Sequence, residues 1–284
     1  MIKVAIVGAG GIAGICHVPA LRAQAHRAEI VAAVDVDAGR VQAFAAEHRI
    51  PAAYTSLAGM LDAERPDLVH VCTPPHLHAA QVVECLRAGA WVWCEKPVCL
   101  TLAEHDTITA AERGAYASVV SQHRFGSGAR HLRDLVAGGV LGRPLVALCV
   151  TAWYRDHAYF DVPWRGGWAT EGGGPTMGHG IHQMDVLLSV LGRWSEVRAM
   201  AGTLDRRIDT EDVSMAAVRF ARPGRWRRWS TASCRPVRRV TCGSTSPTPP
   251  SSCATCMATA TRTGPRPRRA GTPRRTCRVP TRRS

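Results

Sequence analysis

Short apolar runs alternate with amphipathic stretches over the first 120 residues. Residues 2–7 form an apolar run that stops at Gly8, the pattern of a strand buried on both faces of a parallel sheet. Residues 12–23 read as the helix that follows, 30–35 as a second strand and 38–47 as a second helix. Residues 68–72 predict a strand ending at Thr73-Pro74-Pro75. Residues 77–87 predict a helix that puts Ala79, Val82, Val83 and Leu86 on one face. A strand over 91–94, a helix over 102–113 and a strand over 118–120 complete the alternation, which is the sequence form of a doubly wound α/β parallel sheet.

After about Arg124 the rhythm changes. A helix over 131–137, a long strand over 144–154, a helix over 184–191 leaving a glycine-rich turn, and strands over 197–203 and 213–220 make an α+β pattern. The reading is therefore a dinucleotide-binding domain over 1–124, an incomplete α+β domain over 125–220, and a disordered Arg/Pro-rich tail over 221–284.

Charge sharpens the last boundary. The net +14 looks like that of a nucleic-acid binder, yet residues 1–220 carry 20 basic and 22 acidic side chains, while 221–284 carry 16 Arg and no acid. The tail uses ten amino-acid types and lacks Leu, Ile, Phe and Tyr, so it cannot bury enough apolar area to offset its ordering entropy. Scattered Arg with only Trp226 and Trp229 as aromatics makes nucleic acid a poor partner, and Cys253-Ala254-Thr255-Cys256 lacks a second pair at zinc spacing, so no metal is expected. The tail reads as a GC-rich gene out of frame. With Arg as CGN, Trp as TGG and Ser as TCN, shifting residues 224–230 forward by two bases yields an apolar strand, which places a frame change near Ala221–Gly224. There is no secretory signal and no apolar stretch long enough to span a membrane. Six cysteines within apolar patterns read as reduced thiols, so the expected location is cytoplasmic.

The chemistry starts at Gly8-Ala9-Gly10-Gly11-Ile12-Ala13, a G-x-G-x-x-G/A match that follows a strand and opens a helix. Gly8 permits a tight turn, Gly10 lets backbone approach a pyrophosphate, and Ala13 lets helix pack on strand, with free N–H groups facing the phosphates. Asp35 ends the second strand, where an acid accepts the ribose hydroxyls and repels a 2′-phosphate. NAD is therefore the expected cofactor, with NADP left open by the nearby Arg40.

Thr73-Pro74-Pro75-His76-Leu77-His78, then Glu95-Lys96-Pro97, and later Gly172-Gly173-Gly174 through Gly180-Ile181-His182 and Asp185 resemble the motifs of the Gfo/Idh/MocA oxidoreductases, the glucose–fructose oxidoreductase and inositol dehydrogenase type. The likeness covers residues 1 to about 220. It implies a Rossmann domain in which Thr73, Pro74, His78, Glu95 and Lys96 join the glycine loop around the cofactor, a sugar, inositol or related polyol as substrate, and a homo-oligomer. Lys96 would hold the substrate oxygen from the end of its strand. His182 would be the general base, with Asp185 one helical turn on to orient it. One departure stands out: family dehydrogenases commonly carry an acid four residues before this histidine, where this chain has Gly178, and His179 is the candidate replacement. Trp153, Tyr154, Arg155, Trp164, Arg165 and Trp168 suit sugar stacking and hydroxyl or carboxylate contacts, or belong to the second core. Two alternatives to hydride transfer remain at this stage, an inactive cofactor-binding remnant and NAD-dependent elimination or epimerisation on the same scaffold.

Overall fold

A computed structural model describes residues 1–142, 144–221, 227–234 and 254–260. Its first sheet is built from β1 (Ile2–Val7), β2 (Ala28–Val34), β3 (Ala52–Tyr54), β4 (Leu68–Val71), β5 (Trp91–Cys94) and β6 (Ala117–Val119). The strands are all parallel and lie in the order β3-β2-β1-β4-β5-β6. The order reverses between β1 and β4, which opens a crevice at their carboxyl ends, where ligands bind in such sheets. Apolar side chains sit on both faces, as the unbroken runs require: Ala5, Val7, Val69 and Val71 pack on one side, Val4, Ile6, Ile30 and Ala33 on the other.

Five helices accompany these strands. The first opens as a π turn over Ala13–His17 and continues as α1 (Val18–Arg22); the others are α2 (Ala38–His48), α3 (Leu57–Glu64), α4 (Pro75–Arg87) and α5 (Leu102–Ala111). Sequence periodicity misses β3 and α3. Three residues show no alternation, and α3 is one short turn pair whose start is fixed by the Ser56 hydroxyl accepting from Gly59 N–H at 3.3 Å. At α5 the cap chemistry is complete: Thr101 and Glu104 satisfy each other's backbone N–H groups.

The second half contains α6 (Ser127–Ala137), β7 (Pro144–Thr151), α7 (Ile181–Leu191), β8 (Trp194–Gly202) and β9 (Val213–Ala221). Two stretches of the segment read as tail, β10 (Arg227–Cys234) and β11 (Ala254–Ala260), complete a sheet of order β11-β7-β10-β9-β8. The expectations for the remaining tail residues, disorder and the point of frame change at 222–224 among them, lie outside the described residues. Helix α7 covers one face of this sheet, packing Leu187 against Ala147, Cys149, Val218 and Phe220. The other face exposes Val146, Leu148, Met200 and Met215.

Candidate active site

The glycine loop lies where the sheet order reverses. Gly8 adopts φ +95°, and its N–H donates to Val34 O at 2.8 Å. A Cβ on Gly8 would meet the backbone of Cys72 at 2.8 Å, so the close approach of β1 to the end of β4 requires glycine. At Gly10 a Cβ would meet nothing within 4 Å, and Gly10, Gly11 and Ile12 are exposed while Ala13 is buried under the helix. The loop thus presents bare backbone to the crevice, which fits a pyrophosphate.

Asp35 stands beside this loop. One carboxylate oxygen accepts from Ala9 N–H at 3.0 Å; the other accepts from Asp37 N–H at 3.0 Å and from the Arg40 guanidinium at 3.2 Å. Arg40 also reaches Asp37 at 3.3 Å. The cation that left NADP open is therefore held by two carboxylates.

Three residues expected at the cofactor also make ties within the protein. His78 is 1% exposed, and its ring nitrogens lie 2.7 Å from the carbonyl oxygens of Pro97 and Thr73. Its ring joins the Thr73 loop to the Lys96-Pro97 junction. Thr73 gives its hydroxyl to Gln81 at 2.6 Å, with Pro74 next to it capping α4. Glu95 is buried, with one oxygen 3.1 Å from His17 Nε2 and the other accepting Lys96 N–H at 3.2 Å. Burial pulls Glu95 upward, but the His17 hydrogen bond and nearby charge outweigh it and its pKa ends lowered. His17 Nδ1 lies 2.9 Å from His70 Nδ1, and burial holds His70 neutral with a pKa pushed down to about 3. Local motifs give no sign of this buried trio, because its members come from three elements.

Lys96 leaves the end of β5 and crosses to the second half of the chain, donating from Nζ to Gly178 O at 2.7 Å. Burial lowers its pKa, against the upward pull of Glu95 and Glu171. Around it stand the histidines of the π turn Thr176–Gly180 and of α7. His182 is buried and stacks on His123 with centroids 4.6 Å apart; among the described residues its ring makes no hydrogen bond, so its nitrogens are left for a ligand. Burial, with Lys96 and His123 nearby, lowers its pKa to about 4. His179 accepts from Arg155 Nε at 3.2 Å and lies 3.3 Å from the Tyr159 hydroxyl; burial and Arg155 lower it to about 3.

Two expectations are corrected here. Asp185 does not orient His182, because both its oxygens take Arg124, through Nε at 2.8 Å and through a terminal nitrogen. His179, held neutral, carries no charge to replace an acid at position 178. The carboxylate of Glu171 occupies that space instead: a Cβ on Gly178 would meet Glu171 Oε1 at 3.2 Å. Its other oxygen accepts Gly166 N–H at 2.7 Å. Burial raises the Glu171 pKa while Arg165 and Lys96 pull it down. Glu171 directly precedes the three glycines and lies outside α7, so only the folded turn reveals it. Glu211 steadies that turn by accepting from Gly174 and Thr176 N–H at 3.0 and 3.1 Å.

Comparison with known proteins agrees with this layout. Residues 2–123 match the oxidoreductase family with an NAD-binding Rossmann fold, and residues 129–241 match the GFO/IDH/MocA C-terminal domain. The chain is 33% identical over 199 residues to the D-glucoside 3-dehydrogenase of Escherichia coli, covering 67% of this chain and 54% of that one. It is 32% identical to inositol 2-dehydrogenase 2 of Paenarthrobacter aurescens, over 78% of this chain and 65% of that one. The WlbA dehydrogenase of Bordetella pertussis, solved with NADH and UDP-GlcNAcA, superposes with a TM-score of 0.79 at 28% identity, over 84% of this chain and 73% of that one. The chain spans about half the length of the curated relatives it matches first, 54–56%. Among the described residues no helix is long and apolar enough to cross a membrane.

Proposed function

From the premise that the chain belongs to the Gfo/Idh/MocA oxidoreductase family, with an NAD-binding Rossmann domain at its start, we propose that it oxidises a hydroxyl of a sugar, inositol or related polyol. The observation that carries this is the meeting of Lys96, from the end of β5, with His182, from α7. Bound NAD would supply the hydride acceptor. Lys96 holds the substrate oxygen and stabilises the negative charge that develops on it. His182, neutral and with no hydrogen bond to its ring among the described residues, takes the hydroxyl proton. Glu171 supplies, from a different position, the carboxylate that the family commonly places four residues before this histidine.

The test is NADH formation by the full chain with a panel of neutral and acidic polyols, run beside NADP. Turnover is expected, with NAD preferred because Asp35, at the end of β2, is placed to accept ribose hydroxyls and Arg40 is already paired with it. With His182 depressed to about 4, the base is unprotonated at neutral pH, so its contribution stays level down to about pH 5 and falls as pH drops through 4. A fall centred near the ordinary histidine pKa of about 6.5 would contradict the assignment of His182. Cofactor binding with no NADH from any polyol would favour an inactive remnant.

The domain boundary is proposed at residues 124–125, between the two matched segments. The exposed apolar face of the second sheet is proposed to pair with a second copy of the chain; a monomer by light scattering would remove that reading. Cys16, Cys72, Cys85, Cys94 and Cys99 are free thiols, three of them buried, as suits the reducing cytoplasm; periplasmic or secreted protein in cell fractions would contradict that placement. Nucleic acid is not proposed as a partner, and a salt-dependent gel shift would reverse this. The frame change near 221–224 is kept as a proposal, although the C-terminal-domain match runs on to residue 241. Resequencing the gene is expected to reveal a frame that encodes an apolar strand after Phe220; DNA that encodes the tail as written overturns it.

A further inference from the structure

Three cations converge on His179 from three parts of the chain. Lys96 arrives from the end of β5, Arg155 from the segment after β7, and Arg165 from the loop before the three glycines. Each lowers the His179 pKa. Among the described residues none of the three has a carboxylate within ion-pair distance. Lys96 spends one bond on a neutral carbonyl, Gly178 O. Arg155 spends Nε on neutral His179 and a terminal nitrogen on the carbonyl of Tyr154 at 2.9 Å. Arg165 sits over the Tyr159 ring, 3.7 Å from its centroid, and its Nε is buried with no hydrogen-bond partner among the described residues.

Other arginines of this half are treated differently. Arg124 is paired with Asp185, Arg206 with Asp205, and Arg219 with Glu196. The nearby acids do not close the balance at the trio. Glu95 is tied to His17, and Asp156 caps Tyr159 N–H at 3.0 Å. Glu171 alone remains, one oxygen already on Gly166 N–H and neither within ion-pair reach of a cation. Gathering like charges at half-buried positions without a counter-ion is costly, so a site that keeps them unpaired is organised for an anion that arrives from outside. A neutral polyol does not call for this arrangement, since its hydroxyls both donate and accept, whereas guanidinium and ammonium groups only donate. The flat guanidinium fork matches planar or tetrahedral oxyanions, and the aromatic faces of Trp153 and Tyr159 beside it suit the apolar side of a sugar ring.

The geometry points to an acidic sugar as the substrate, a polyol whose anionic oxygens are gripped by Arg155 and Arg165 while the hydroxyl to be oxidised rests on Lys96. This rests on the oxidoreductase reading for the role of Lys96, but its test is made by binding. Full-length protein saturated with NADH is titrated with D-glucuronate, D-glucose 6-phosphate and D-glucose, followed by calorimetry. The anionic sugars are expected to bind at least ten-fold more tightly than glucose, and the comparison of glucuronate with the phosphate shows which oxyanion is preferred. Arg165→Gln should erase the preference, and Arg165→Lys should restore part of it. NADH affinity of each variant serves as the control for folding. Equal binding of the three sugars, no binding by any, or an Arg165→Gln variant that keeps the preference overturns the inference. NADH formation from a neutral polyol without preference for an acid removes this inference alone. Tight binding of an acid with no turnover removes the oxidoreductase reading instead.

Discussion

Lys96→Ala is expected to lower kcat by about 10²–10³-fold, the usual cost of removing a charge-stabilising donor from the reacting oxygen, with NAD affinity unchanged. The separation follows from where the side chain goes. The backbone of Lys96 ends β5, but its ammonium has crossed to Gly178 O in the second half of the chain, away from the glycine loop that would hold the phosphates. Its removal takes a buried charge out of a cluster that already contains Arg155 and Arg165, each of which pulls the Lys96 pKa down. Thermal stability should therefore stay level or rise. Lys96→Arg should not rescue, because a planar guanidinium cannot place one compact charge at the same oxygen. Steady-state rates, calorimetric NAD titration and thermal melts check these statements. Activity within ten-fold of the parent in Lys96→Ala would end the catalytic assignment.

That lysine was legible in the sequence because it is bound to a local pattern, an apolar strand followed at once by Glu95-Lys96-Pro97. The same holds for the glycine loop, whose residues are contiguous and whose backbone demands are met in one turn. Helix and strand periodicity likewise gave the six-stranded layout apart from β3 and α3, which are too short to show a period. What escaped was every relation between distant residues. Asp185 looked like a partner for His182 because one helical turn separates them, yet Arg124 outcompetes the histidine with a charged, two-pronged bond. His78 matched a motif, but the folded chain uses both of its nitrogens to join two loops. Glu171 was invisible because its work is done at position 178, seven residues on, across a turn whose three glycines let the chain fold back on itself. Gly174 is needed there because any side chain would run into the backbone carbonyl of Glu211.

The glycine loop gives the second large effect, and two of its glycines separate folding from binding. Gly8→Ala puts a methyl group in a left-handed backbone conformation, at a cost of about 1–2 kcal/mol for an L-residue, and against the Cys72 and Thr73 backbone at 2.8–2.9 Å. Those contacts are main chain at the end of a central strand, so they cannot swing aside as a side-chain tip would. Relief must come from parting β1 from β4 or from moving the loop. The first gives up the Cys72 N–H to Val7 O bond at 2.7 Å, and the second displaces Ala9 N–H from Asp35. A total loss of about 3 kcal/mol is expected, which lowers Tm by roughly 10 °C for a domain of this size, together with loss of measurable NAD binding. Gly10→Ala should behave differently. Its methyl group meets no protein atom within 4 Å, so Tm should hold, but the methyl stands in the space a pyrophosphate needs and NAD affinity should still fall at least ten-fold. Thermal melts and NAD titrations on the pair read the two effects apart. A Gly8→Ala protein that melts with the parent and binds NAD as well would show that the loop is neither a strand-spacing element nor a phosphate cradle.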